Sequence, residues 1–224
     1  MMTESGQTDG APYLAGLAPY WDDRFGREGL IWGQEPSPSA ELAWGFWREV
    51  GVGTILVPGC GYGRHTRFFS QQGADVEGIE ISPVAIGLAR GFDLSSRFYR
   101  GSALDPSLCP GPYDAIYGFN LLHLFRAPER AALLALSRQR LRPGGLAFFT
   151  AFAETDAGYG AGAEVEPNTF ESRPGRPAHY FTAEDLRQHF TGWEMVAEGH
   201  IDEPEDHGQG PHTHALRWIL AQRD

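Results

Sequence analysis

The sequence predicts an α/β fold in which helices cover both faces of a doubly wound, mostly parallel sheet. A short apolar run, Ile55–Val57, breaks into glycines at alternate positions (Gly59, Gly61, Gly63) just before a helical stretch. Strand-like and helix-like segments then alternate along the chain, which is typical of a parallel sheet with crossover helices. The last two strand-like segments are joined without a helix, so we expect that pair to be antiparallel.

The N-terminal part, residues 12–50, is predicted to be a helical cover that follows a small, polar and disordered stretch, residues 1–11. Four of the six tryptophans of the chain fall in this cover. Its aromatic side chains either pack a helical layer on the sheet or form a lid over a ligand site, and both roles can hold for different residues. The lid candidates are Tyr20, Trp21 and Trp32.

Five strands of the sheet are predicted from short apolar runs that end at Gly, Pro or a polar residue. They are residues 55–57, 74–79, 96–99, 113–118 and 146–153. Pro83 and Pro128 mark helix starts, and Pro143-Gly144-Gly145 predicts a stop before the fifth strand. Residues 193–201 and 212–222 supply the antiparallel pair, giving seven strands.

The segment 153–178 interrupts this alternation. It is rich in Gly, Ala, Glu and Pro and shows neither helical nor strand periodicity. A structureless stretch of this length within a compact domain is more often a functional lid than a simple connection. We therefore predict a lid-like insertion.

Composition narrows the class of protein. At 224 residues with 42% hydrophobic content, the chain is predicted to be a single domain, residues 1–224, and a monomer or homodimer. A formal charge of −11 with no basic stripe disfavours nucleic acid and anionic membranes as partners.

The longest apolar run, 146–153, is too short to span a membrane, and no signal peptide is evident. Two cysteines, Cys60 and Cys109, give no disulfide framework, so we expect a cytoplasmic protein.

All 18 basic residues are arginines. The absence of lysine excludes a P-loop lysine, a Schiff-base lysine and the Tyr-x-x-x-Lys pair of short-chain dehydrogenases.

Polar side chains follow three of the predicted strands, at the edge where ligands bind in such sheets. Glu80 ends the second strand, Asp105 follows the third, and Asn120 and His123 follow the fourth. The alternatives are a solvated glutamate, a turn aspartate, a capping asparagine and a packing histidine. His123 is the best candidate for a general base because its ordinary pKa is near neutrality.

The remaining histidines and cysteines carry weaker signals. Cys60 is interpreted as a small residue that fits the glycine turn, not as a nucleophile. His207, His212 and His214 could suggest a metal site, but histidines near a hairpin are more often solvated, and we predict no metal. We expect His212 and His214 to contact substrate instead, and we give His179 and Tyr180 the same role.

Four blocks of the sequence resemble class I S-adenosylmethionine-dependent methyltransferases, in order and at familiar spacing. They are Val57–Gly63, Gly78–Pro83, Tyr113–Ile116 and Leu141–Leu146. The resemblance covers roughly residues 50–222. Within that class the chain looks most like small-molecule enzymes of the tellurite-resistance and thiopurine type, because of the turn Val57–Gly61 together with Tyr20–Arg24 and Trp32-Gly33.

The resemblance implies a Rossmann-like sheet of seven strands, S-adenosylmethionine as cofactor and S-adenosylhomocysteine as product. It implies that the cofactor is bound by the glycine turn and strand ends: Gly59, Cys60, Gly61, Gly63, Glu80, Ile81, Ala103, Leu104, Asp105 and Asn120. Within this set Glu80 would bind the ribose hydroxyls and Asp105 the adenine amino group. The acceptor would be a small molecule that attacks the methyl group in line with a nitrogen, oxygen, sulfur or metalloid atom.

Two other functions stay open at the level of sequence. The chain could bind S-adenosylmethionine without turnover. A nicotinamide-dependent oxidoreductase on a similar sheet is disfavoured, because Arg64 stands where a dinucleotide fingerprint has glycine and because the last strands are antiparallel.

Overall fold

The computed structural model describes residues 13–206 and 210–224. The predicted disordered stretch 1–11 and His207 lie outside the described residues. Ten strands are present in this part of the chain: β1 (Thr54–Pro58), β2 (Asp75–Glu80), β3 (Arg97–Arg100), β4 (Tyr113–Gly118), β5 (Leu141–Phe152), β6 (Ala163–Glu166), β7 (Thr169–Arg173), β8 (Arg176–His179), β9 (Glu194–Glu205) and β10 (His212–Gln222).

The described residues also form six α-helices, several with the start signals that the sequence carries. They are α1 (Leu14–Glu28), α2 (Pro38–Glu49), α3 (Arg64–Gln71), α4 (Pro83–Phe92), α5 (Ala127–Arg140) and α6 (Ala183–His189). Ser82 and Thr182 cap α4 and α6 by accepting a backbone hydrogen bond. None of these helices is long and apolar enough to cross a bilayer.

The main sheet confirms the predicted fold. Its seven strands run in the order β3-β2-β1-β4-β5-β10-β9, and β10 is antiparallel to both of its neighbours. The strand order reverses direction between β1 and β4, where the carboxyl ends of an open parallel sheet leave a crevice. Apolar residues of β1, β4 and β5 are fully buried between the helical layers, among them Ile55, Ile116 and Phe149.

Strand β5 is longer than predicted, because it begins at Leu141 and includes Pro143-Gly144-Gly145. The predicted stop is wrong for a tertiary reason. The amide of Gly144 donates to Arg223, and Gly145 accepts from the Arg223 amide, so the chain terminus holds this segment extended. Gly144 permits the path with a φ of +74°.

The insertion also differs from the prediction, since it contains a second sheet. Strands β6, β7 and β8 pair antiparallel in that order. These strands are short, and both pairings are interrupted by a register shift, so no regular alternation of apolar and polar residues marks them in the sequence. Thr169 and Pro177 are among their few buried residues.

Candidate active site

A cavity of about 910 Å³ opens at the carboxyl edge of the main sheet, at the strand switch point. Its size lies within the range of about 300–1,000 Å³ that small-molecule sites occupy. One part of its wall comes from the loops after β1, β2, β3 and β4. Another part comes from α1, the loop after it, and strand β8.

The glycine turn after β1 is fixed by its own backbone. Gly59 and Gly61 have φ values of +67° and +56°, which side chains rarely allow. The amides of Gly59 and Cys60 both donate to the carbonyl of Ile79, at 2.7 and 3.0 Å. This pairing ties the turn to β2, and the three residues Gly59–Gly61 line the cavity. Gly63 does not line it and precedes α3 as a left-handed cap.

Glu80 supplies a buried carboxylate to the same wall. It is only 6% exposed, and it accepts hydrogen bonds from the amides of Gly61 (3.0 Å) and Ser82 (2.8 Å). Burial raises the pKa of this carboxyl, while the backbone donors oppose the shift. Because each carboxylate oxygen can accept more than one hydrogen bond, Glu80 keeps acceptor capacity for a ligand.

The predicted cofactor residues after β2 and β3 divide into two groups. Ile81 and Ala103 line the cavity, whereas Leu104 and Asp105 do not. The Asp105 carboxylate caps its own turn, accepting from the amide and hydroxyl of Ser107 at 2.9 and 2.7 Å. Ser102 lies on the wall instead. The sequence Asp105-Pro106-Ser107 is typical of an Asx turn, so this pattern already favoured the turn role of Asp105 over a ligand contact.

Asn120 lines the cavity in a strained backbone conformation, with a φ of +46°. Thr150 holds it there through two hydrogen bonds of 2.9 Å. The amide of Asn120 donates to the Thr150 hydroxyl, which in turn donates to the Asn120 side-chain oxygen. Strain of this kind concentrates at functional sites, where the surrounding structure imposes it.

His123 also lies on the wall, but its surroundings make it a poor base. It is 2% exposed, and its ring stacks on Phe152 with centroids 3.8 Å apart. Burial and the neighbouring His214 lower the pKa of His123 to about 3, so the ring is neutral at pH 7 and binds a proton weakly. The geometry supports the packing alternative more than the general base.

The N-terminal aromatics serve two purposes. Tyr20, Trp21 and Trp32 line the cavity, as the lid interpretation expects. Trp44 and Trp47 of α2 instead pack into the core beneath the sheet, as the layer interpretation expects. The difference follows from position, because α2 lies against the buried face of β4 and α1 reaches the strand ends.

Arginines on the opposite wall were missed by the sequence reading. Arg24, Arg173 and Arg176 line the cavity. The guanidinium carbon of Arg176 lies 3.5 Å from the centroid of the Tyr20 ring. Burial lowers the pKa of Arg176, and the charges of Arg173 and Arg24 lower it further. Arg24 lies on α1, whereas Arg173 and Arg176 lie in a segment without periodicity, so only folding of β7 and β8 brings those two to the site.

Two of the four remaining residues predicted to contact substrate lie on the cavity wall, and two do not. Tyr180 and His214 line the cavity, whereas His179 and His212 do not. His179 is buried between Thr169 and Asp185, with a hydrogen bond of 2.7 Å to each. Asp156 was not predicted, and it orients His214 through a 2.8 Å contact to Nδ1.

Cys60 fits the turn as a small residue. A Cβ added at Gly78 would lie 2.6 Å from its sulfur, so the two residues pack directly against each other. Burial raises the pKa of the Cys60 thiol well above its ordinary value, with the Glu80 charge adding to the shift. The thiol is therefore protonated at neutral pH and is not an activated nucleophile.

Sequence comparison identifies a known domain in this part of the chain. The family described as "Methyltransferase domain" matches residues 55–145, which run from β1 into β5. The ubiquinone biosynthesis O-methyltransferase of Xylella fastidiosa is 33% identical over 110 residues. That match covers 47% of this chain and 44% of the relative, so the chain spans less than half the length of the curated relatives it matches.

Solved structures show the same fold over nearly the whole chain. A structure reported for the conversion of a disulfide bond into a thioacetal group during echinomycin biosynthesis superposes with a TM-score of 0.73. It is 20% identical, and the match covers 93% of this chain and 92% of the other. Magnesium protoporphyrin IX methyltransferase from Synechocystis, with bound S-adenosylmethionine, gives 0.67 at 15% identity, covering 97% and 100%.

These comparisons confirm the resemblance that the four sequence blocks predict. At such identities the structural matches establish the fold, while the sequence match assigns the domain. Residues 55–145 match the methyltransferase domain family, and the chain has the fold of the solved S-adenosylmethionine-dependent methyltransferases.

Proposed function

We propose that this protein transfers the methyl group of S-adenosylmethionine to a small-molecule acceptor. One observation carries the proposal: a single cavity joins the glycine turn and the buried Glu80 to a wall of aromatic and arginine side chains. The first part of the wall suits a nucleoside with an amino-acid tail, and the second suits a separate small molecule. Catalysis of this kind requires that both reactants lie in one water-poor site.

The residues of the donor wall fit S-adenosylmethionine. Gly59 and Gly61 line the cavity without Cβ atoms, and their backbone would lie against the amino-acid part of the molecule. Glu80 has acceptor capacity for two ribose hydroxyls, and Ile81, Ser102 and Ala103 offer apolar and backbone contacts for the adenine. When bound, S-adenosylmethionine supplies a methyl group on a sulfonium, which is a good leaving group.

The acceptor wall favours a flat, anionic molecule with an oxygen nucleophile. Tyr20, Trp21 and Phe152 offer aromatic faces, and Arg173 and Arg176 offer positive charge. Among the described residues no carboxylate lies within ion-pair distance of either arginine. The chain as a whole carries a formal charge of −11, so the positive charge of these two arginines is opposite in sign to the net charge of the protein. The relatives named as O-methyltransferases support oxygen as the attacking atom.

This chemistry needs little from a base. An anionic acceptor already carries the lone pair that attacks, so the protein aligns the reactants and excludes water. The aromatic cover and β8 perform the exclusion. A cytoplasmic location and the absence of a nucleic-acid partner stay predictions of the composition.

The donor site is tested by Glu80→Gln. Replacing the charged acceptor should weaken S-adenosylmethionine binding by about 10- to 100-fold, as expected when a hydrogen bond to a charged group worth about 1.5–3 kcal/mol is lost. Titration calorimetry measures the dissociation constant. Glu77→Gln is the matched control, because Glu77 lies on the same strand but does not line the cavity. Equal affinities in wild type and Glu80→Gln would refute the ribose role.

Turnover separates the proposed enzyme from the alternatives. Release of S-adenosylhomocysteine should be measured with matched pairs of phenols that differ in one carboxylate, alongside a thiol and an amine. We expect the anionic phenols to react with the lower KM. Binding without turnover across the panel would favour an idle binding protein, and binding of NAD(H) without S-adenosylmethionine would favour an oxidoreductase.

A further inference from the structure

Two histidines and a glutamate converge at the rim of the cavity, where β9 and β10 end their pairing. The geometry points to a binding site for a divalent transition-metal ion formed by Glu205, His212 and His214. This inference replaces the prediction that these histidines act without a metal.

Strand register brings the three side chains to one face. His212 and His214 are two residues apart on β10, so their side chains point to the same side of the sheet. Glu205 is the partner of His212 across the antiparallel pair, and paired residues share a face. The Nε2 atoms of His212 and His214 lie 4.0 and 3.9 Å from the same Glu205 oxygen.

The distances suit ligands that would close around an ion. All three candidate ligand atoms lie within 4.8 Å of one another. Ligand atoms about 2.0–2.1 Å from a tetrahedral zinc ion are about 3.3 Å apart. Small side-chain rotations would bring the nitrogen and oxygen atoms to that separation.

Hydrogen bonds to the other ring nitrogens present the right atoms to such an ion. The Nδ1 of His212 faces the carbonyl of Gly210 at 3.2 Å, and a carbonyl can only accept, so this nitrogen carries the proton. The Nδ1 of His214 lies 2.8 Å from the buried carboxylate of Asp156. Each Nε2 is then the atom with the lone pair, and such outer partners are typical of metal-binding histidines. The Trp32 ring nitrogen donates to Glu205 at 3.1 Å and orients its carboxylate in the same way.

A second cluster of histidine and carboxylate side chains differs from the proposed metal site. His179, Asp185 and His189 also lie close enough to hold an ion. There the ring nitrogens are already used, because His179 is bonded at both nitrogens and the Nε2 of His189 accepts from Arg130 at 3.0 Å. That cluster is a hydrogen-bond network and does not line the cavity, whereas Glu205 and His214 do.

The donor set selects the type of ion. Two imidazoles and one carboxylate suit zinc and neighbouring transition metals rather than calcium or magnesium. Three protein ligands leave a coordination position open, as in catalytic rather than structural zinc sites. Glu205 and His214 both line the cavity, so that open position would face it. If the proposed function holds, the ion would bind the oxygen of an anionic acceptor.

Metal binding is tested on the untagged full chain with Zn²⁺ and Co²⁺ as probes. We expect one equivalent of Zn²⁺ by calorimetry, and Co²⁺ should give the visible absorption of a four- or five-coordinate nitrogen and oxygen site. His212→Ala should weaken both by at least about tenfold, since the loss of even an outer-shell partner costs that much. His212 is chosen because it does not line the cavity.

His200→Ala is the matched control, since it removes an exposed histidine of β9 and leaves the three ligands intact. Glu205→Gln provides a second test if His212→Ala fails to fold. Absence of saturable Zn²⁺ and Co²⁺ binding, or equal affinities in His212→Ala and His200→Ala, would overturn the site. S-adenosylmethionine affinity measured on the same samples keeps this result separate from the proposed function, because the donor wall contains none of the three ligands.

Discussion

At the scale of single residues, the environment of a side chain decides its chemistry more than its type does. His123 is the residue that the sequence favours as a base, yet burial against Phe152 lowers its pKa to about 3. His214, about as close to the cavity, has its pKa raised instead, because hydrogen bonding to Asp156 and the charges around it outweigh partial burial. The two rings differ in their neighbours and therefore in their basicity.

Replacing His123 tests this distinction. His123→Phe keeps the ring that stacks on Phe152 and removes both nitrogens. We expect kcat to change by no more than a few fold and the pH profile of kcat to keep its shape, because a ring with a pKa of about 3 is a weak base and does not titrate between pH 5 and 9. Steady-state rates across pH 5–9 measure both quantities. A large loss of kcat together with a missing ionisation would restore His123 as the general base.

At the scale of elements, a carboxylate of helix α1 bonds to the start of α4, in addition to the packing of Phe25 on Tyr62. Asp22 accepts from the Ser82 hydroxyl at 2.5 Å and from the Val84 amide at 3.2 Å, and both donors lie at the start of α4. A carboxylate at that position also stabilises the amino-terminal end of the helix dipole. The contact fixes α1, whose Tyr20 and Trp21 line the same cavity as Glu80.

Removing this attachment should loosen the cover. For Asp22→Ala we expect a stability loss of about 1–2 kcal/mol, which is typical for a lost capping interaction. Amide hydrogen exchange should accelerate in α1, and the S-adenosylmethionine dissociation constant should rise. Asp23→Ala is the control, since Asp23 is exposed and forms an ion pair with Arg27 in the same helix. Identical exchange in the two variants would show that Asp22 does not hold α1.

At the scale of the whole molecule, Asp114 joins the amino ends of three strands of the main sheet. It accepts from the amides of Gly53 and Thr54 and from the Thr54 hydroxyl before and in β1, at 2.8–3.0 Å. It also accepts from Arg142 of β5 at 2.5 Å. Partial burial alone would raise the pKa of Asp114, but these donors prevail and lower it to about 2.

The lowered pKa predicts acid sensitivity. Because the folded state favours the carboxylate, its contribution is full above the unfolded value of 3.8 and disappears as pH falls to about 2. Because the carboxyl lies near solvent, screening keeps this contribution to about 1–2 kcal/mol. Urea unfolding should show that Asp114→Asn lowers the free energy of unfolding at pH 7, with the difference shrinking between pH 4 and pH 2. Asp75→Asn removes an exposed ion pair and should cost less than about 1 kcal/mol.

Much of the donor side of this molecule follows from local sequence. Gly59 and Gly61 form the turn through their own backbone angles, and the helix caps bond to amides a few residues away. Glu80 stands at the end of its strand and bonds to the turn. Such local features can be predicted from short stretches of sequence. The alternation of strands and helices predicts the mostly parallel sheet, and the helix-free last connection predicts its antiparallel pair. Asp105 shows the limit of this reasoning, because an acid in a loop can bind either a ligand or its own turn.

The amino-acid sequence by itself determined the sheet, the glycine turn and the class of cofactor site, because these depend on local propensity and on short-range spacing. Only the tertiary structure decided what surrounds them. Arg176 meets Tyr20, and Glu205 meets His212 and His214, through strand pairing and packing between distant segments. Contacts of that kind leave no periodic pattern in the sequence, and they define both the proposed acceptor wall and the proposed metal site.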